Sequence, residues 1–203
     1  MSPRPPTTKN DSSPKISGSE AVKAALIAAA GDLLGELGPR AVSVRDIAQK
    51  AGVNHGQIHH YFGGKRGLLE AAIRELARGH YEHSLELAGG EAIPPPLSLG
   101  EDRTYFRALC HSVMDGDIDL IMAVEGDDEL SVPRRVMRDL LERKSGADLF
   151  EIKAHLSIFA AMQLGWVAFE ELLLIIADVD PEEQESFKNR VKHLMQDMID
   201  QAI

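Results

Sequence analysis

Side chains able to do bond-making chemistry are few in this sequence. Cys110 stands beside His111, a thiol next to an imidazole, but neighbours on a helix point about 100° apart and do not face each other. His55 and His59 are four residues apart, and His80 and His83 three apart, so each pair could share a helix face. Neither pair has a Cys or carboxylate at a recognisable metal-ligand spacing, and no metal site is expected. A Gly-rich phosphate loop and a Ser/His/Asp pattern are both missing. Catalysis is therefore not expected, and neither is a cofactor. What stands out instead is where the charge lies. The 203 residues carry a net charge of −10, yet residues 1–80 hold 11 Lys and Arg against 7 Asp and Glu, a net of +4. Residues 81–203 hold 11 against 25, a net of −14. A basic head on an acidic body confines any nucleic-acid contact to the head.

The elements that would position such a contact are helical. Residues 1–16, rich in Pro, Ser, Thr and Lys, read as a disordered tail. Ser17 and Glu20 are spaced as a capping box, and Val22, Ala25, Leu26, Ala29, Leu33 and Leu37 then recur at helical spacing until Gly38-Pro39. Ser43 with Asp46 is a second possible box, opening a helix with Val44, Ile47, Ala48 and Ala51 on one side and Gly52 at its end. Asn54 with Gln57 is a third, opening a very short helix that closes near Gly63-Gly64. A longer helix over 65–88 follows, about 36 Å long at about 1.5 Å per residue.

Two brief helices joined by a tight turn suit a helix-turn-helix. The crossing leaves room for a small side chain, which Ala48 supplies. The turn needs a residue at home at positive φ, which Gly52 supplies. Val53 and Ile58 can fill the space beneath the second helix of the pair.

With these residues in place, the stretch 44–69 closely resembles the DNA-binding head of the tetracycline-repressor (TetR) family. The shared features are Ile47-Ala48, Ala51-Gly52-Val53, Gly56, Ile58, Tyr61-Phe62, Lys65 and Leu68-Leu69. The resemblance covers about residues 20–75. It implies an all-α protein, with a three-helix DNA-binding domain over 17–64, a connecting helix over 65–88, and a helical-bundle domain for effector binding and dimerisation over 89–203. It also implies that the helix from His55 to Phe62 enters the major groove of double-stranded operator DNA, leaving His55, Gly56, Gln57, His59 and His60 near bases or phosphates. Gln57 suits a bidentate contact with adenine, and histidines can donate to guanine N7 or O6. Tyr61, Lys65 and Ser43 fall at phosphate-contacting positions, with Arg45 as an additional one. The sequence departs from the usual pattern at Gln57, His59, Gly64 and Arg66, where a small residue, a tyrosine, a polar cap and an acid are more typical.

In the body, Pro94-Pro95-Pro96 precedes helices expected near 102–114, 117–124, 133–144 and 148–177, with an acidic loop at 125–129. A last helix opens at Asp180-Pro181-Glu182-Glu183, with Phe187, Val191, Leu194, Met195, Met198 and Ala202 on its apolar face. The uncharged run over residues 156–169 is 14 residues long. That is short of the roughly 20 that cross a bilayer, so no membrane is expected. The family resemblance implies that the last two long helices pair across a twofold axis into a homodimer, calling for a palindromic site. It implies, too, a pocket for an unknown small-molecule effector, with Phe106, Cys110, Met114, Met122, Met137, Phe159, Met162, Trp166 and Phe169 as candidates for its wall. His111 or Arg107 would orient the ligand. Release of DNA on effector binding, repression as the outcome and a cytoplasmic location complete the expectation. The location also fits a chain with one cysteine and no signal-like N-terminus. Two other classes stay open: an interaction module of repressor form that no longer binds operator DNA, and an enzyme carrying a DNA-binding head. Salt-dependent DNA binding separates the regulator from the interaction module.

Overall fold

The computed structural model describes residues 18–91, 93–127, 129–143 and 148–202. Among them the chain forms nine α-helices and no strand. The tail over 1–16, Ser17, Asp128 in the acidic loop and Lys144 lie outside the described residues.

The first helix, α1 (Ser19–Ala41), takes Gly18 as its N-cap, and Glu20 pairs with Lys23 at 2.9 Å. The expected start at Ser17 is thus displaced by one residue. Gly38, at φ 78°, breaks the helix, and a single turn follows through Pro39. The apolar pattern led to one buried face; α1 has two. Leu26, Ala29, Ala30, Leu33 and Leu34 are buried, whereas Leu37 is exposed. Gly31 and Gly35 are buried with them, and a methyl group on Gly35 would lie 3.0 Å from the carbonyl oxygen of Thr104. Small residues therefore let α1 serve the head on one side and the body on the other.

The helices α2 (Val44–Ala51) and α3 (Gly56–Phe62) and the long α4 (Lys65–Ala88) complete the head. Leu26, Leu34, Ile47, Ile58, Leu68 and Ile73 are almost wholly buried. Each contributes about 2 kcal/mol of hydrophobic stabilisation before entropy is counted. This core runs on without a gap into Tyr105, Ala108, Leu120 and Val124 of the body.

In the body, α5 (Arg103–Met114) follows a 3₁₀ turn at Ser98–Glu101, and α6 (Ile118–Glu125) and α7 (Val132–Arg143) come next. Asp102 caps α5, accepting from the backbone N–H of Tyr105 at 3.1 Å. A smaller apolar cluster joins Val136 and Leu140 of α7 to Ile152 and Leu156 of α8 (Leu149–Ile176). The last helix, α9 (Gln184–Ala202), begins later than the sequence indicated. Residues 181–183 form a turn instead, in which the N–H of Glu183 donates to the carbonyl of Asp180 at 2.9 Å.

Within one chain α8 is poorly covered. Leu174 is its buried residue, while Ile158, Leu172, Ile175 and Ile176 are half exposed or more. At 28 residues, with a mean hydropathy of 1.6 over its most apolar window, it is long and apolar enough to cross a membrane. The uncharged run of 14 residues understated this, because the apolar pattern continues on both sides of Glu170-Glu171. Phe169 departs from helical geometry (φ −121°, ψ 17°) and kinks the helix there.

Candidate nucleic-acid interface and effector cavity

The head begins with a reciprocal cap. Ser43 Oγ accepts from the backbone N–H of Asp46 at 3.2 Å, and Asp46 Oδ2 accepts from the N–H of Ser43 at 3.3 Å. The hydroxyl of Ser43 also donates to that carboxylate at 2.6 Å. At the other end Gly52 sits at φ 67°, and the N–H of Val53 returns to the carbonyl of Ala48 at 3.0 Å. This left-handed cap turns the chain between α2 and α3. Lys50 bonds Glu36 and Asp32 of α1 at 3.1 and 3.3 Å, and the Glu36 bond does most to raise its pKa.

The opening of α3 differs from the expected box. Asn54 Oδ1 accepts from the N–H of Gly56 at 2.8 Å, and the N-cap position belongs to His55. Ile58 is buried and Ala48 nearly so, with Val53 packed against them. On the opposite side His55, Gly56, His59 and His60 are exposed, and Gln57 is half-buried. A methyl group on Gly56 would meet only Asn54 Oδ1, at 3.3 Å, so the protein itself leaves room for a side chain there. Tyr61 is half-buried, edge-on to His60 at 4.7 Å, with the ammonium of Lys23 5.6 Å from its ring centre. Arg45 and Lys65 form no ion pair with the described residues. The surface formed by Ser43, Arg45, α3 and Lys65 is thus polar to basic and contains free cations.

Arg66 is a different case. Its guanidinium bonds both oxygens of Asp117 at 2.6 and 2.8 Å and Glu70 at 2.7 Å. Asp117, the N-cap residue of α6, gives α6 no side-chain cap, because its carboxylate is turned to the head. Asp115 accepts from the backbone N–H of Arg40 at 3.1 Å, and Asp127 pairs with Arg74 at 3.1 Å. Three body aspartates therefore grip α1 and α4. In the sequence Arg66 stands out only as a departure from the family pattern, which carries no sign of this partner.

Between α4, α5, α6, α7 and α8 lies a cavity of about 590 Å³. Of the candidates for its wall, Cys110, Met114, Phe159 and Phe169 line it, and Phe106, His111, Met122, Met137, Met162 and Trp166 do not. Phe106 is buried in packing and Met122 is exposed. His111 lies against the Gly38 turn, and Trp166 stacks on Phe187 of α9 at 6.5 Å. The sequence reading overlooked His80, Tyr105, Glu125, Gln163 and the stretch around Pro94. The apolar residues flanking the prolines, Ile93 and Leu97, were the available signal, and Gln163 Oε1 holds that segment by accepting from the N–H of Leu97 at 2.5 Å.

His80 and His83 do not share a site. His83 bonds Glu101 at 3.0 Å, while His80 is buried and stacked on Tyr105 at 5.0 Å. Burial lowers the His80 pKa below the usual 6.5, against an upward pull from Asp102 and with a further downward push from His83. The folded state thus takes this proton less readily than the unfolded chain. Stability is complete above pH 6.5 and falls as the pH drops below it. His80→Phe keeps the stacking and should flatten the fall in Tm between pH 6.5 and about pH 5. An unchanged slope would assign acid sensitivity to another group. Burial also raises the pKa of the Cys110 thiol, keeping it protonated and a poor nucleophile.

A capped helix, a left-handed glycine turn and a second helix with a buried inner and polar outer face define a helix-turn-helix DNA-binding protein. The family model for bacterial regulatory proteins of the tetR family matches residues 26–72. An HTH-type transcriptional regulator BetI from Vibrio campbellii is 43% identical, over 70% of this chain and 77% of that protein. The HTH-type transcriptional repressor Rv3405c of Mycobacterium tuberculosis is 35% identical over 116 residues, and the match spans 57% of its length. The crystal structure of a tetR-family transcriptional regulator from Streptomyces coelicolor superposes with a TM-score of 0.52 at 21% identity, covering 86% of this chain and 90% of that one. The chain belongs to the TetR family of transcriptional regulators.

Proposed function

We propose that this regulator is a repressor that binds a palindromic operator as a homodimer and lets go when a small molecule enters the body. The observation that carries the DNA-binding half is the outer face of α3 with Lys65 beside it: exposed hydrogen-bonding edges next to a cation without a carboxylate partner among the described residues. Gln57 and His59 read base edges, while Tyr61, Lys65 and Arg45 hold phosphates; Ser43, whose N–H and hydroxyl both donate to Asp46, fixes the start of α2 instead of binding one. His55, Gly56 and His60 lie beside them, Gly56 where the backbone passes closest to the DNA. Binding operator DNA calls for a cytoplasmic protein.

Dimerisation is supported by the uncovered apolar side chains of α8 and α9, including Leu172, Ile175, Leu194 and Met198. Soluble monomers rarely leave so much contiguous apolar surface exposed. A second copy, rather than lipid, is favoured because Glu170 on the same helix pairs with Lys188 of α9 at 3.1 Å. Twofold pairing places two α3 helices about 34 Å apart, one turn of DNA. The aspartate clamp on Arg40, Arg66 and Arg74 supplies the link from the body, so a shift of α6 on ligand binding moves the head.

The test is operator binding by fluorescence anisotropy over a salt series. Lys65→Ala should weaken binding and lower the salt slope by about one per head. Tyr61→Ala should weaken it by about tenfold. Arg66→Ala should leave the slope as in the parent, because its charge is spent on Asp117. A slope lowered equally by Arg66→Ala would contradict the assignment.

A further inference from the structure

The cavity has no provision for an anion. Among the described residues no Lys or Arg lines it, and its carboxylate is Glu125, at the C-terminal end of α6. Glu125 accepts from Ser131 Oγ at 2.5 Å and meets no cation among the described residues. A second acceptor lines the same cavity. His80 is 7% exposed, lines the cavity, and its Nδ1 has no hydrogen-bond partner among the described residues. Burial keeps this ring neutral, so one of its nitrogens carries a free lone pair. Tyr105 lines the same cavity: its ring stacks on His80, and its phenol pKa is raised chiefly by burial and then by the charge of Glu125. Phe159 and Phe169 add aromatic faces, which attract cations, and most of the remaining wall is aliphatic.

Taking the cavity as the effector site, as the proposed function does, we infer that the effector is an apolar amine: a hydrocarbon body with one protonated nitrogen, its charge met by Glu125 and its N–H served by His80. A carboxylate ligand would face Glu125 with no compensating cation. An alcohol would gain the hydrogen bond but not the charge. A volume of about 590 Å³ suits a molecule of drug size.

Three probes of one chain length separate these cases: decylamine, decanol and decanoate, each below its micelle concentration, titrated calorimetrically into the full-length protein at pH 7. Decylamine should bind about tenfold tighter than decanol, with decanoate weakest. Glu125→Gln should bring decylamine to within about twofold of decanol while leaving decanol unchanged, since the amide can still accept from Ser131. Equal binding of amine and alcohol, or tightest binding of decanoate, would overturn the amine assignment and leave the cavity as the effector site. Binding of none of the three would overturn the cavity itself. Loss of decanol binding in the variant would make Glu125 a structural residue and overturn its role in charge selection.

Discussion

Gly67→Ala should destabilise the head by about 2–3 kcal/mol and abolish operator binding near the growth temperature. The cause is steric. A Cβ at position 67 would lie 2.1 Å from the carbonyl oxygen of Phe62 and 3.2 Å from its carbon, both backbone atoms. No rotamer relieves such a contact, so the first turn of α4 must move away from the end of α3. That turn carries Lys65, and the moving segment carries Tyr61. Gly79→Ala provides the internal control: on the same helix, a Cβ there meets nothing within 4 Å. It should stabilise by about 0.5–1 kcal/mol through helix propensity alone. Thermal unfolding followed by far-UV circular dichroism checks both. Equal Tm values for the two variants would mean that the close approach of α3 and α4 does not constrain the head.

Leu172→Glu should convert the protein to a monomer and lower operator affinity by about a hundredfold. Leu172 is half exposed on α8, and Ile175 and Ile176 further along the same helix are more exposed still. Across a twofold axis one substitution places two new carboxylates on facing surfaces, and neither can find water without separating the subunits. The heads remain folded, because no residue of α8 belongs to the cluster that holds α1 to α4. Each half-site is then bound singly, and the avidity of a tethered pair is lost. Sedimentation velocity reads the oligomeric state and anisotropy the affinity. A variant that stays dimeric would place the subunit contact elsewhere.

The head was more legible in the sequence than the body, for a physical reason. Capping, glycine turns and helical periodicity are local rules, and they located α2, α3 and α4 to within a residue or two. The Ser43–Asp46 box and the Gly52 turn involve neighbours in sequence and are present as read. The misreadings came where a side chain answers to something distant. Asp117 opens the helix expected near 117–124, yet its carboxylate crosses 51 residues to Arg66 instead of capping it. Gly67 admits a backbone approach that a Cβ would block, and Gly35 a tight one, contacts that no local pattern announces. The cavity was hardest, since Met and aromatic side chains serve packing and ligand equally well. Met122 and Trp166 turned elsewhere, and His80, taken with His83 as a potential metal pair, turned inward onto Tyr105.

The most direct test of the account is anisotropy of this protein on DNA from upstream of its own gene, against a scrambled duplex of the same composition, at two salt concentrations. The account predicts tight binding to the natural duplex that weakens steeply with salt, a clear preference over the scrambled one, and weaker binding to both duplexes in Lys65→Ala and Tyr61→Ala. Equal binding to the two duplexes by folded dimer, across DNA tiling the flanking region, would contradict operator recognition and leave an interaction module in repressor form.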